Sequence, residues 1–179
     1  MIRFNHDILI DLIQNKTTIQ QVKFGLIKLG ATIDVIDIFE ITGIYVHNPL
    51  ITTYNYENSN YTIRENFGRL YDFDGAIHLA GGLTCVIKNQ KIEDFRISKR
   101  YIEKINHFTR EEIISFHGKP DYELIDSLQW GYDVSVDNYI LCYDNKRLNF
   151  YIDPEKNTLK EIYTAHLDKS KFEVRRILL

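Results

Sequence analysis

Apolar residues fall at Ile8, Leu9, Leu12 and Ile13, one face of a helix over Asp7–Gln14. Thr18-Ile-Gln-Gln21 follows with the spacing of a capping box. Val22, Leu26 and Leu29 extend a helical stripe that Gly30 would stop. From Thr32 the period shortens. Ile33, Val35, Ile41, Ile44 and Val46 are β-branched and predict strands. Ile51–Glu57 and Tyr61–Phe67 flank Asn58-Ser59-Asn60 as a hairpin. Ala76–Leu79 and Leu83–Ile87 flank Ala80-Gly81-Gly82 as another, and Lys91–Ile97 continues as a strand.

The second half restarts the pattern. Tyr101, Ile102 and Ile105 mark a short helix. Thr109-Arg-Glu-Glu112 is a second capping box that opens a helix ended by Gly118 and Pro120. Strands are predicted at Gln129–Val136, Tyr139–Tyr143, Arg147–Ile152 and Leu159–Ala165, with turns at Asp137-Asn138, Asp144-Asn145-Lys146 and Asp153–Asn157. The halves share spacings: Asp7 to Thr18 matches Ser98 to Thr109, and Leu83-x3-Ile87 matches Leu148-x3-Ile152. The expected fold is therefore α+β, with two similar helix–helix–antiparallel-sheet modules in tandem. Residues 1–98 would form the first, carrying a hairpin insertion at about 48–74, and residues 99–179 the second.

Thr109-Arg-Glu-Glu-Ile-Ile-x3-Gly-Lys-Pro-Asp, Trp130-Gly-Tyr, Leu148-x-Phe-x-Ile and a final Leu-x2-Ile strand resemble one repeat of the β-lactamase-inhibitor-protein-like fold, a pattern shared by small outer-membrane assembly lipoproteins. The resemblance covers about 70 residues firmly. It implies helix pairs backing a continuous sheet whose open face binds another protein. The signal and lipidated cysteine of the lipoproteins have no counterpart here, nor do the inhibitor's disulfides.

Composition narrows the functional classes. The chain has 179 residues, 44% hydrophobic and 26% charged, enough to bury a core. Net charge is −3. Residues 1–98 carry 9 basic and 11 acidic groups, and residues 99–179 carry 13 and 14, so neither half has the basic cluster that nucleic-acid binding needs. No stretch reaches the length of a membrane span, and the N-terminus has no secretion pattern, so a cytoplasmic protein is expected. Cys85 and Cys142 lie in apolar runs and read as reduced core thiols.

Hydrolase, phosphate-loop and dinucleotide motifs are absent, and the six histidines are scattered. Neither a catalytic residue, a cofactor nor a metal is expected. Pro120-Asp121 with Asp144-x-Lys146 fits a loose nuclease pattern, but Asp144–Lys146 reads as a hairpin turn. Tyr54-Asn-Tyr-Glu-Asn-Ser-Asn-Tyr61 has the vocabulary of protein-recognition loops. Tyr54, Tyr56 and Tyr61 are therefore candidate partner contacts. Trp130 and Tyr132 join them as a same-face strand pair, and Asp72 and Asp74 as paired carboxylates. The expected function is non-catalytic protein binding, most concretely an immunity protein that neutralises a bacterial toxin. The competing expectations are a small hydrolase using Asp72/Asp74 or a histidine, and a structural adaptor.

Overall fold

The computed structural model describes residues 6–37, 40–46, 75–105, 107–128, 136–167 and 173–175. Helix α1 spans His6–Ile13 and is amphipathic as its spacing requires, burying Leu9, Leu12 and Ile13. Thr18-x2-Gln21 closes only one 3-10 turn, Ile19–Gln21, with the Thr18 N–H donating to Gln21 Oε1. The helix expected through Leu29 does not form. Gly25 takes φ 66°, Phe24 and Ile27 bond each other's backbone across it, and Leu26 is left 76% exposed. The anchors of this turn, Phe24 and Ile27, are buried and lie outside the stripe of Val22, Leu26 and Leu29. Ile33–Val35, expected as a strand, is likewise a 3-10 turn.

Strands β1 (Ile41–Val46), β2 (Gly75–Leu79), β3 (Leu83–Lys88) and β4 (Lys91–Ile97) form an antiparallel meander. Helix α2 (Lys99–Ile102) and helix α3 (Arg110–His117) follow. The α3 capping box is complete: Thr109 Oγ1 accepts from the Glu112 N–H, and Glu112 Oε2 accepts from the Thr109 N–H. Gly118 at φ 82° ends the helix. A second meander runs through β5 (Tyr122–Leu128), β6 (Val136–Tyr143), β7 (Leu148–Asp153) and β8 (Thr158–Tyr163), and β9 (Glu173–Arg175) pairs with β5. Strand β5 was not foreseen, because its alternation, Tyr-Glu-Leu-Ile-Asp-Ser-Leu, is broken by paired apolar and paired polar residues. Asp137-Asn138, expected as a turn, lies inside β6.

Among the described residues the meanders join into one antiparallel sheet of nine strands, in the order β1-β2-β3-β4-β8-β7-β6-β5-β9. This overturns the expected α+β tandem of two helix–helix–sheet modules. The first half lacks its second helix, the helices are short, and strand pairing runs unbroken from one half to the other through Arg96–Tyr163 and Ile97–Ile162. The main core lies between the helices and one face of this sheet. One cross-strand row traces it: Ile41, Leu79, Leu83, Ile97, Ile162, Phe150 and Leu141 stand directly opposite one another in turn. Phe24 stacks edge-on against Phe95 and Tyr101 above it. Neither cysteine is in a disulfide, and both are buried. Cys85 belongs to this core and Cys142 to a smaller cluster on the opposite face.

Candidate binding face

Residues directly opposite in a ladder share a face of the sheet. The row next to the core row therefore points the other way. It runs Gly43, His78, Thr84, Arg96, Tyr163, Asn149, Cys142, Tyr122, crossing eight strands without interruption. Over β2–β4 this face is open: His78 and Arg96 are exposed, Ala76, Thr84 and Val86 half-buried. Strict alternation in β2 and β3 produces it, one residue to the core and the next to solvent. Over β5–β8 the same face turns apolar. Leu124, Ile140, Cys142 and Tyr151 are buried together, with Tyr163 and Leu167 packed against them.

The open part is polar and internally paired. His78 Nδ1 lies 2.9 Å from Thr84 Oγ1. Gly43 opposite leaves room for the imidazole, since a Cβ there would approach His78 Cδ2 at 3.3 Å. Burial, and then the charge of Arg96, hold His78 below the ordinary histidine pKa, favouring the neutral ring. Arg96 Nε and Nη2 bond Glu161 Oε2 at 2.8 and 2.7 Å. Beyond Tyr163 the eighth strand leaves the ladder, and polar side chains knit the gap. Thr164 Oγ1 accepts from the Phe95 N–H at 2.7 Å, and Asn149 Nδ2 donates to the Tyr163 and Ala165 carbonyls. Arg147 reaches across to Asp94 at 2.5 Å, where burial still raises the carboxyl pKa above its usual range.

On the helix side, a second polar junction ties three elements together. His117, at the end of α3, lies 2.9 Å from the Ile13 carbonyl through Nε2. Lys146 Nζ sits 3.2 Å from His117 Nδ1 and 3.2 Å from Asn15 Oδ1. Burial and the neighbouring Lys146 charge pull His117 down to about 4, so the ring is a neutral donor through Nε2. Asp144–Lys146 is a 3-10 turn, as its composition suggested. The Asp144 N–H bonds Asp121 Oδ2, and Lys146 is turned to His117 and Asn15. The nuclease-like spacing therefore closes a turn.

The partner contacts expected from sequence, Tyr54, Tyr56, Tyr61, Asp72, Asp74, Trp130 and Tyr132, all lie outside the described residues, as does the hairpin that carries the first three. What sequence reading missed is the row from His78 to Tyr163. Its signal was faint: of the open-face positions in Ala76–Leu79 and Leu83–Lys88 only His78, Thr84 and Lys88 are polar. Among the described residues there is no group of three His, Cys, Asp or Glu side chains placed to hold a metal, and no helix long and apolar enough to cross a membrane. The chain matches no family model, no curated protein and no solved structure.

Proposed function

We propose that this protein is a non-catalytic binder that docks another protein on the open face of β2–β4. The observation that carries the reading is a sheet face of polar and small apolar side chains, Ala76, His78, Thr84, Val86 and Arg96, already organised by its own hydrogen bonds and by the Arg96–Glu161 pair. A surface fixed before binding loses little side-chain entropy on association. His78 and Thr84 are the described pair closest to a base and a hydroxyl nucleophile, and they line neither described cleft. An enzyme would gather such groups in a concavity. In its concrete form the reading is an immunity protein that covers and neutralises a bacterial toxin domain in the cytoplasm. Two buried cysteines outside any disulfide suit that reducing compartment, and Tyr54, Tyr56 and Tyr61 would add aromatic anchors.

The test is capture of the neighbouring gene's product by purified protein. Thr84→Arg and Val86→Lys place bulk on the face without touching the core. Each is expected to abolish capture while the melting curve stays put. Tyr54→Ala with Tyr56→Ala is expected to weaken capture roughly thirtyfold, the loss of an anchor of about 2 kcal/mol. Full capture by both face variants, with the fold intact, overturns the proposal.

A further inference from the structure

At the β3–β4 end of the open face, a cleft of about 610 Å³ opens between the hairpin and the Leu29-Gly30 loop, lined also by Lys88, Lys91, Glu93 and Arg147. Three features here run against local stability. Lys88 and Lys91 are directly opposed in the ladder, where like charges repel, and Glu93 offsets this only through a 3.9 Å contact with Lys88. Arg147 adopts φ 53°, a left-handed conformation that glycine or asparagine would take more cheaply. Its Nε–H is enclosed without an acceptor among the described residues. Places where several local rules fail together are where function is found. All three failures converge on one cleft, and all three involve cations. The lining carries three positive groups and one negative, and Asp94 behind Arg147 leaves a net positive charge. Asp94 and the Glu93 carbonyl hold the Arg147 guanidinium by Nη2, so the positive group is fixed in place before a ligand arrives.

We propose that this cleft binds carboxylates of an acidic segment of the docked partner, with Lys88, Lys91 and the Arg147 guanidinium together supplying the positive charge. The inference rests on the docking reading, because the cleft opens at the edge of that face. A protein with net charge −3 thus presents its basic cleft where a partner's acidic side chains would steer the encounter.

Hexaglutamate peptide and inorganic phosphate, titrated calorimetrically into the full-length protein at matched ionic strength, test this. The peptide is expected to bind, with affinity falling as salt rises, and phosphate to bind at least tenfold more weakly. Lys88→Gln with Lys91→Gln is expected to lose the peptide by tenfold or more with a melting temperature unchanged or raised, since an opposed like-charge pair is gone. Arg147→Lys keeps the charge beside Asp94 and is expected to hold the peptide within a few-fold. Phosphate binding as tightly as the peptide, or peptide binding indifferent to the lysine variants, overturns the inference. So does absence of peptide binding by the unaltered protein, which leaves capture of the partner to judge the docking reading separately.

Discussion

The two meanders are built from similar strands and differ in how many faces they bury. In β2 and β3 every second residue is buried, and the intervening ones are half-buried or exposed. In β7 five consecutive residues, Leu148 to Ile152, are buried, because the helices cover one side and the Leu124–Ile140–Cys142–Tyr151 cluster fills the other. The polarity pattern does not record this difference: Leu-Thr-Cys-Val-Ile and Leu-Asn-Phe-Tyr-Ile place their polar residue at the same position, and what packs on each side sets the two strands apart. One sheet thus has a half committed to stability on both sides and a half with a side to spare for a partner.

The comparison breaks first on truncation. Ile140→Ala removes a fully buried side chain from the second cluster and is expected to cost about 2–4 kcal/mol, whereas Val86→Ala on the open face should cost less than about 1 kcal/mol. Urea unfolding of both variants measures it. Equal costs would mean that the two faces are not distinct.

Next comes acidity. The depressed pKa of His117 means that the unfolded chain binds a proton more readily than the folded one between the ordinary histidine value and about 4. The resulting stability is fully present above about pH 6.5 and is lost as pH falls toward 4, on the order of 2 kcal/mol after allowing for partial exposure. His117→Gln should flatten that part of the stability profile. His78 shifts in the same direction, but it sits on the open face, so His78→Gln should leave the larger part of the slope in place. If the slope vanishes instead with His78→Gln, the helix-side junction is not its source.

The smallest effect separates the two capping boxes. Thr109→Ala removes an acceptor from a two-turn helix and should cost about 1 kcal/mol. Thr18→Ala affects only a single 3-10 turn and should cost a few tenths. The difference in urea midpoints is the measurement, and equal losses would make the first half's turn as consequential as the second half's helix.

Local signals in the sequence were legible where one residue pattern had one physical outcome. Thr109-x2-Glu112 with Gly118 set out α3, and Ala80-Gly81-Gly82 and Lys88-Asn89-Gln90 marked real turns. The stripe Val22, Leu26, Leu29 misled because apolar residues at helical spacing also suit an irregular segment pressed against a core. Val22 and Phe24 are buried there while Leu26 points to solvent. The merging of two meanders into one sheet was hidden for another reason. It depends on Arg96–Tyr163 and Ile97–Ile162, partners more than sixty residues apart whose own neighbours carry no mark of the pairing. The open face was only partly legible, in the scattered polar positions His78, Thr84 and Lys88. The cleft beside it was hidden, because Lys88, Lys91 and Arg147 meet only in the folded chain.

The two cysteines acquire a use from their placement. Cys85 faces the helix-covered core and Cys142 the opposite side, both fully enclosed, and burial raises the Cys85 thiol to about 12. A thiol-reactive probe can modify either one only when the layer over it lifts. Pulse labelling followed by peptide mass analysis would therefore time the opening of each side independently. The chain carries, without any engineering, one chemical clock for each side of its sheet.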